Sequence, residues 1–335
     1  MLDKRFRNDG KPSIPLNSLQ KKYKKIIEKN ILNSVLEYPN CNVCNSNSFK
    51  LLSEKDRYGL KVSVVICKRC GLIQLSPRMT QEFYNSFYDN EYRKLYSENK
   101  IFFEEQKEKG KNIINYIEKN IGTEIKDMFI LEVGSSSGGI LSAFKEKNNK
   151  VLGIDLGSEH IEFANSKGID SKVGSINDLK LKEKPDIVIY SQVTEHILNP
   201  IEEFQNLKKF LKPESLVFIE VPGIKNLQYA YHLDFLKYIQ NAHIYYFTLN
   251  SLNNCMKKAG YKLISGNERI RTIFKIGEID DYKDDYSQTM NFLIDLEGRK
   301  KNISFKLKNR IIYTIEYLAT KTGTYRILEK FQKLK

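Results

Sequence analysis

The sequence lacks any apolar stretch long enough to cross a membrane. No run among its 335 residues approaches the ~18 consecutive apolar residues that a membrane-spanning helix requires. Met1 is followed by Lys4, Arg5 and Arg7 without the apolar core of a secretory signal, and there is no internal repeat. We therefore expect a cytoplasmic protein with one large or two modest domains and enough apolar residues for a core.

Arginine is scarce in this sequence, although the formal net charge is +14. Only 11 of the 55 basic residues are arginine, which argues against a dedicated nucleic-acid reader. The segment from Arg299 to Lys335 carries 11 basic residues and two acidic ones, Glu316 and Glu329, so the other 298 residues have a net charge of only +5. This tail is either a lysine-rich solvated surface or a contact with a partner or a peripheral membrane.

Cysteine is also rare, but four of the five cysteines form two CxxC pairs. Cys41-Asn-Val-Cys44 and Cys67-Lys-Arg-Cys70 are separated by 22 residues, and Cys255 stands apart in a helical pattern. Two such turns supply the four thiolates of a tetrahedral structural zinc site. Redox motifs, disulfides and an iron–sulfur centre are the alternatives, and zinc is favoured. A closed four-thiolate site predicts a role in folding rather than in catalysis.

Short apolar segments alternate with helical patterns from residue 127 onward. MFILEV, KVLGID, DIVIYSQV and SLVFIEVP are typical of buried strands, and GGILSAFKEKN and PIEEFQNLKKFL between them are typical of helices. This alternation predicts an α/β domain with a mainly parallel sheet covered on both faces, ending in a hairpin of YKLISGNE and RIRTIFKIG. The predicted organisation is an N-terminal helical segment, a zinc-binding module, linking helices, the α/β domain and a basic helical C-terminal extension, at residues 1–39, 40–80, 81–125, 126–278 and 279–335.

The stretch LEVGSSSGGIL, after the first strand of this pattern, has small residues that let a ligand approach the backbone. It lacks the Gly-Lys-Ser/Thr ending of a P-loop, and it fits a dinucleotide fingerprint only with a serine in the middle. Glu132 lies two positions before the first glycine, where its charge would repel a pyrophosphate. The acid favours a ligand with a nearby positive charge, and S-adenosylmethionine has a sulfonium, an ammonium and two ribose hydroxyls without a phosphate.

On these residues the chain resembles the class I S-adenosylmethionine-dependent methyltransferases, whose first motif is acid-x-Gly-x-Gly-x-Gly. The corresponding cofactor-binding positions are Glu132, Gly134, Ser136 and Gly138, with Ser136 in place of the middle glycine. The family's second motif is an acid that ends the next strand and binds the ribose hydroxyls, which implies Asp155, 21 residues after Gly134. The resemblance implies a Rossmann-like, seven-stranded, mostly parallel sheet with its last strand reversed. A Rossmann-like domain for another nucleotide is the alternative.

The segment SQVTEHILNP begins at the end of the strand segment DIVIYSQV, at the edge of the sheet where ligands bind. This places Ser191 at the cofactor, and Glu195 and His196 near the methyl acceptor. The family often has a Glu-His pair here followed by Asn/Asp-Pro, which Asn199 and Pro200 match. A histidine can remove the acceptor proton during methyl transfer. The alternative is that Glu195 and His196 cap or pack the next helix.

A second candidate base, His243, lies in QNAHIYYFT, after the strand segment SLVFIEVP. In zinc-containing sugar methyltransferases, which this chain resembles, a comparable loop carries a Glu-His pair before Phe-Ser/Thr; here Ala242 replaces the Glu. We predict His243 or His196 as the catalytic base, with a structural role as the alternative for each. His160 and His232 are predicted to be surface or packing residues.

KDRYGL, the CGL after the second cysteine pair, Arg78 and FYNSFYDNEYRKLY also resemble methyltransferases of nucleotide-sugar and surface-polysaccharide pathways. The resemblance implies that the module and linking helices close over the acceptor, with Tyr58, Tyr92 and Tyr96 lining the site or packing between domains. We therefore predict S-adenosylmethionine-dependent methyl transfer to an oxygen or carbon of a nucleotide-linked sugar or polysaccharide precursor, with a structural Zn²⁺. An RNA methyltransferase and a non-catalytic scaffold are the alternatives, and oligomeric state is not predicted.

Overall fold

The structure is a computed structural model that describes residues 1–96, 102–277 and 282–301. The part of the predicted C-terminal extension that follows Lys301 lies outside the described residues. Within the part of the chain that the structure describes, no helix is long and apolar enough to cross a membrane.

The N-terminal segment predicted as helical is helical only in part. A 3₁₀ turn at Lys4–Phe6 is followed by irregular chain, and helix α1 spans Ser18–Leu32. Pro12 and Pro15 explain the late start of the helix, because a proline has no amide hydrogen to donate and disfavours helical geometry in the residue before it. Strand β1 at Leu36–Glu37 then leads into the first cysteine pair.

The region of the two cysteine pairs forms an antiparallel sheet, in agreement with the strand-like segments KVSVVIC and LIQL. Strands β2 (Phe49–Lys55), β3 (Lys61–Cys67) and β4 (Ile73–Leu75) lie side by side, and the short β5 (Arg78–Met79) pairs with β1. The linking region is helical, as predicted, with α2 at Gln81–Asn90, α3 at Tyr92–Tyr96 and α4 at Phe103–Ile121.

The α/β pattern predicted from residue 127 forms a seven-stranded sheet in the order β12-β13-β10-β9-β6-β7-β8. Neighbouring strands from β10 to β8 are parallel, whereas β13 is antiparallel to both β10 and β12. This is the Rossmann-like sheet with a reversed last strand that the sequence predicts. In chain order the elements are β6 (Phe129–Val133), α5 (Gly139–Lys145), β7 (Lys150–Asp155), α6 (Ser158–Ser166), β8 (Ser171–Val173), β9 (Ile187–Ser191), α7 (Pro200–Leu207), β10 (Leu216–Glu220), α8 (Phe235–Tyr238), β11 (Tyr245–Tyr246), α9 (Leu249–Lys258), β12 (Tyr261–Gly266), β13 (Arg271–Ile276) and α10 (Tyr286–Lys301).

One strand from the α/β region, β11, belongs to the sheet of the cysteine-containing module. It is antiparallel to β4, with Tyr245 opposite Gln74 and Tyr246 opposite Ile73. Sequence periodicity does not predict this strand, because two residues are too few to show an alternation. The pairing holds the loop that carries His243 against the module.

Two apolar cores lie on opposite faces of the seven-stranded sheet. Side chains alternate between the faces along a strand, so Ile130 packs in the core that includes α4 and α5, whereas Leu131 belongs to the other core. That second core continues into the module, where it includes Leu52 of β2. Helix α4 approaches α5 so closely that a Cβ on Gly110 would lie 2.6 Å from the carbonyl oxygen of Ile140. This contact fixes α4, and with it Lys109, beside the sheet.

Candidate active site

The loop after β6 has a backbone conformation that residues with a Cβ rarely adopt. The φ angle is 73° at Gly134, 47° at Ser136 and 76° at Gly138. A Cβ on Gly134 would also overlap with Cγ2 of Val193, so both the backbone angle and the available space require glycine there. Ser136 occupies the position of the family's middle glycine and keeps a glycine-like conformation. The substitution that the sequence shows is therefore compatible with the loop.

Asp155 joins this loop to the one that follows β7. Its Oδ2 accepts a hydrogen bond from the amide of Ser136 at 2.9 Å, and its Oδ1 accepts one from the amide of Gly157 at 2.8 Å. The amide of Gly134 donates to the carbonyl oxygen of Ile154 at 2.8 Å, which draws the two loops together. Each carboxylate oxygen keeps a further lone pair, so Asp155 can still accept hydrogen bonds from the hydroxyls of a ligand.

Glu132 places a carboxyl group in the protein interior near the end of β6. Its side chain is 2% exposed, and among the described residues its Oε2 has no hydrogen-bond partner. Burial raises the pKa of Glu132 well above its usual value, and the positive charge of Lys109 opposes that shift. A buried carboxyl group without a partner is stabilised by an approaching cation or donor. Glu132, residues 134–138 and Asp155, together called the glycine-loop site, therefore fit S-adenosylmethionine, which carries an ammonium and a sulfonium.

A charged network that the sequence analysis missed lies at the same edge of the sheet. Glu220, the last residue of β10, lies 3.1 Å from Nζ of Lys109 and accepts a hydrogen bond from Nε of Arg271 at 2.9 Å. Burial alone would raise the pKa of Glu220, but the two cations outweigh burial and lower it. The hydroxyl of Ser191, predicted to bind the cofactor, donates to Glu220 at 3.3 Å and so supports the network. The sequence does contain one signal for Glu220. It is the acid near the end of the predicted strand SLVFIEVP, at the edge of the sheet where ligands bind.

Glu195, His196 and His243 lie together and form what we call the histidine pocket. The two imidazole rings are 4.8 Å apart at an interplanar angle of 84°, and Oε1 of Glu195 lies 3.9 Å from Nε2 of His196. Nδ1 of His196 lies 2.9 Å from the carbonyl oxygen of Ala242 and 2.8 Å from the hydroxyl of Tyr88. Because a carbonyl can only accept, Nδ1 carries the proton and Nε2 keeps a lone pair toward the pocket. The structure thus brings together the three residues predicted as catalytic.

Burial sets the protonation states in the histidine pocket. It raises the pKa of Glu195 to about 8, lowers that of His196 to about 4 and lowers that of His243 well below its usual value. Near pH 7 both imidazoles are therefore neutral, and Glu195 holds a proton. Within the described part of the chain, both carboxyl oxygens of Glu195 and Nδ1 of His243 are buried without hydrogen-bond partners. Ligand atoms of these three residues lie within 4.8 Å of one another, a set that could also hold a metal ion.

Tyrosine rings surround the histidine pocket. Tyr92 and Tyr96 of α3 stack with their ring centroids 4.9 Å apart, and Tyr58 meets Tyr96 edge-on at 5.0 Å. Tyr92 also lies 6.3 Å from the ring of His196, while Tyr238 approaches His243 at 6.4 Å. The three tyrosines that the resemblance implies thus lie together beside the pocket. Their neighbour Tyr238 was not predicted, because nothing local in the sequence marks it.

An open cleft of about 390 Å³ lies next to the charged network. Gln192, Glu220, Tyr231 and Arg271 contribute to its lining. The ring of Tyr231 lies 5.2 Å from that of Tyr238, which also contacts His243, so aromatic contacts connect the cleft with the histidine pocket.

The four paired cysteines converge as predicted. Sγ of Cys41 lies 3.4 Å from Sγ of Cys70, and the Cys44 and Cys67 sulfurs are also 3.4 Å apart. All four sulfurs lie within 4.8 Å of one another. The spacing is close to the about 3.8 Å that thiolates take around a tetrahedral zinc with ~2.3 Å bonds, so the residues fit a structural Zn²⁺. Cys255 is separate from this cluster and buried, as predicted.

The two remaining histidines lie outside the histidine pocket. His160 is half-buried beside Gly157, near the Asp155 loop, and its Nδ1 is buried without a hydrogen-bond partner among the described residues. His160 therefore packs beside the loop that carries Asp155, next to the glycine-loop site. His232 lies in a turn with Tyr231, which lines the cleft, and Leu233. All three residues have φ between 53° and 56°.

The fold and the glycine-loop site define a methyltransferase domain. A family model described as "Methyltransferase domain" matches residues 88–265, just over half of the chain, and the protein belongs to this family. The match runs from the end of α2 into β12, so it includes α4 and the parallel strands but not β13.

Individual relatives are more distant. The C-methyltransferase NovU of Streptomyces niveus is 24% identical over 226 residues, covering 64% of this chain and 50% of the relative. A ubiquinone biosynthesis O-methyltransferase of Haemophilus ducreyi is 28% identical over 120 residues, covering 31% of this chain and 49% of the relative. The chain thus spans about half the length of the curated relatives it matches. Among solved structures, magnesium protoporphyrin IX methyltransferase of Synechocystis with bound SAH aligns with a TM-score of 0.41 at 13% identity, over 58% of this chain and 95% of that chain.

Proposed function

We propose that the protein transfers a methyl group from S-adenosylmethionine to an oxygen or carbon of a nucleotide-linked sugar or related polysaccharide precursor. One observation carries this proposal: the segment 191–196 borders both sites. Val193 packs against Gly134 of the glycine-loop site, and Glu195 and His196 follow in the histidine pocket. A donor at the first site and an acceptor at the second would therefore meet across this segment, as methyl transfer requires.

The glycine-loop site would hold the cofactor, which when bound supplies an electrophilic methyl group on its sulfonium. Glu132 offers an unpartnered carboxyl oxygen to the cationic end of the cofactor, and Asp155 offers its remaining lone pairs to the ribose hydroxyls. Gly134 leaves the backbone open to a close approach.

The histidine pocket would bind and deprotonate the acceptor. His243 or His196, both neutral near pH 7, would take the proton from the acceptor O–H or acidified C–H bond, while the acceptor atom forms its bond to the methyl carbon. The bond between that carbon and the cofactor sulfur would break at the same time, and its electron pair would stay on the sulfur of the departing S-adenosylhomocysteine. The hydrogen bond to the carbonyl of Ala242 orients the lone pair on Nε2 of His196. Glu195, which holds a proton, can donate a hydrogen bond to the acceptor.

The lining of the pocket supports a sugar as the acceptor. A sugar ring presents hydroxyls at its edge and C–H groups on its faces. The unpartnered atoms of Glu195 and His243 offer hydrogen bonds to hydroxyls, and the stacked rings of Tyr92 and Tyr96 offer an apolar face. The burial of Glu195 and His243 also favours a small acceptor group over a folded RNA. We further propose that Cys41, Cys44, Cys67 and Cys70 hold a structural Zn²⁺.

The test is transfer of labelled methyl from S-adenosylmethionine into separate pools of nucleotide sugars and total RNA from the native cell. We expect label in the nucleotide-sugar pool that disappears with His243→Ala. Label in RNA would mean that the acceptor is RNA rather than a nucleotide sugar. Absence of transfer to either pool, with intact binding of S-adenosylhomocysteine, would favour a non-catalytic scaffold.

A further inference from the structure

Arg57 has a fixed place in the loop between β2 and β3. Its amide donates to the carbonyl oxygen of Ile239 at 3.0 Å, and its own carbonyl oxygen accepts from the amide of Ser13 at 2.8 Å. The neighbouring Asp56 is fully buried, and its Oδ2 accepts a hydrogen bond from the amide of Asn241 at 3.1 Å. Two distant parts of the chain, Ser13 and the segment 239–241, therefore hold this loop, and the position of Arg57 does not depend on its own side-chain contacts.

The guanidinium of Arg57 lies among aromatic rings beside the histidine pocket. Its Cζ is 5.1 Å from the ring centroid of Tyr58 and 5.7 Å from that of Tyr96, and it donates one hydrogen bond, to the hydroxyl of Tyr58 at 3.2 Å. In the described part of the chain its Nε is buried without a partner, and no carboxylate lies within the 4.0 Å of an ion pair. The hydroxyl of Tyr96, whose ring lies under the guanidinium, accepts a hydrogen bond from the amide of Ala242 at 3.4 Å, next to His243, and the charge of Arg57 contributes to the low pKa of His243.

Arg57 differs in this respect from the other arginines of the described residues. Five of them form ion pairs with carboxylates: Arg5, Arg78, Arg93, Arg271 and Arg299. The remaining three are exposed to solvent: Arg7, Arg69 and Arg269. Arg57 alone among the described arginines is half-buried and has no paired carboxylate there. A partly desolvated guanidinium without an anion is costly, and a ligand anion would supply the missing partner.

Several buried polar atoms near the Arg57 loop and in the histidine pocket also lack hydrogen-bond partners among the described residues. Both side-chain polar atoms of the fully buried Asn241 lack partners among the described residues, as do those of Glu195 and Nδ1 of His243. Asn241 is tied to Asp56 and immediately precedes the His243 loop. With Glu195 protonated and both histidines neutral, these neighbours offer hydrogen bonds but no negative charge to Arg57. The buried carboxyl group of Asp56 does interact with the charge of Arg57, but its oxygens accept hydrogen bonds from the amides of Tyr58, Leu60 and Asn241 and form no ion pair with the guanidinium among the described residues.

We propose that Arg57, with Tyr58 and Tyr96, forms an anion subsite of the histidine pocket, and that the methyl acceptor carries a carboxylate or phosphate group bound there. The guanidinium presents donors in a planar fork that matches the paired oxygens of either anion. This inference rests on the proposed function, because it assigns the charge of the acceptor in the same pocket.

The test compares two matched pairs of probes by calorimetry with the full-length protein saturated with S-adenosylhomocysteine. UDP-glucuronate and UDP-glucose differ by one carboxylate on the sugar, and glucose 1-phosphate and glucose differ by one phosphate. We expect the more anionic member of one pair to bind about 10- to 100-fold more tightly, the range of a charge-assisted contact in a desolvated site. The pair that shows this preference identifies the source of the anion.

Arg57→Met should reduce that preference to about threefold or less, and Arg57→Lys should retain part of it because the charge remains without the fork. Arg299→Met, which removes a charge from the exposed face of α10, is the matched control and should leave the preference unchanged. Affinity for S-adenosylhomocysteine and the thermal unfolding midpoint serve as readouts of folding.

An equal preference in the parent protein and a folded Arg57→Met variant, or no binding of any probe, would overturn the inference. If Arg57→Met does not fold, an unchanged preference in Arg57→Lys overturns it instead. These outcomes are separate from failure of the proposed function, which is decided by transfer of labelled methyl and does not depend on the probe ratio.

Discussion

At the glycine-loop site, the backbone amides of Ser136 and Gly157 both donate to Asp155, whereas in the histidine pocket Glu195 and His243 keep buried polar atoms without partners among the described residues. The first site is rigid before a ligand arrives, because its loops are tied to each other. The second is polar and buried, and its unpaired groups, like the Oε2 atom of Glu132 at the first site, are stabilised by a ligand that enters. The difference teaches that the cofactor site follows from local geometry, while acceptor choice depends on how several distant segments meet.

Removal of zinc from the cysteine cluster should have the largest effect. It should impair the histidine pocket more than the glycine-loop site. Structural zinc contributes on the order of 10 kcal/mol to the folding of small modules. The module sheet includes β11, which follows the His243 loop. We therefore expect Cys67→Ser to lose bound zinc and methyl transfer, with a smaller loss of S-adenosylhomocysteine affinity.

Cys255→Ala is the control, since this buried cysteine lies outside the cluster and its replacement should cost about 1 kcal/mol without loss of zinc. Elemental analysis should find one zinc per chain. Equal losses of methyl transfer and S-adenosylhomocysteine affinity in Cys67→Ser would contradict the expectation that the two sites respond differently. A second zinc, lost in His243→Ala, would place a metal in the histidine pocket.

Replacement of His243 should separate the two sites most cleanly. His243→Ala removes a candidate base and should lower kcat by about 10²- to 10⁴-fold, the usual contribution of general base catalysis. Affinity for S-adenosylhomocysteine, measured by calorimetry, should stay within about twofold. A loss of kcat below threefold, together with a large loss in His196→Ala, would assign the base to His196.

Substitution of Gly134 tests the glycine-loop site, the other member of the comparison. Gly134→Ala strains a residue at φ 73° and drives its Cβ into Val193, so cofactor affinity should fall about tenfold or more. Gly122→Ala is the matched control, because Gly122 has φ 70° and nothing within 4 Å of an added Cβ. It should lower the unfolding free energy by about 1 kcal/mol and leave cofactor affinity unchanged. Similar affinity losses in both variants would attribute the effect to global strain.

The smallest expected effect is a pH dependence of stability that arises in the histidine pocket. Burial raises the pKa of Glu195 from 4.5 to about 8, so the folded state holds a proton that the unfolded state has released between these values. The resulting stabilisation is complete below about pH 4.5 and is lost as pH rises through about 8. Denaturant titrations of Glu195→Gln should therefore show less loss of stability between pH 5 and 8.5 than the parent protein. Parallel curves would mean that Glu195 is ionised in the folded protein.

Features carried by contiguous residues could be predicted. The seven-stranded sheet follows from alternating apolar strands and helices, and its reversed β13 from the family resemblance. The spacing between Glu132, the glycines and Asp155 predicted the glycine-loop site. One strand–helix–strand unit brings these positions to the same edge of the sheet. The spacing of the two CxxC pairs likewise predicted that the four cysteine sulfurs lie together.

Features made by contacts between distant segments could not be predicted. Nothing local in SLVFIEV shows that Glu220 meets Lys109 and Arg271, although an acid at a strand end was a usable hint.

The sequence by itself determined the α/β sheet, the glycine-loop site and the four cysteines, because periodicity and short spacings act through local backbone geometry. Only the tertiary structure decided that β11 completes the module sheet, that Glu195, His196 and His243 share one buried pocket, and that Arg57 faces it without a carboxylate among the described residues. Burial, pKa and charge pairing depend on neighbours far apart in the chain, and those neighbours are set by packing.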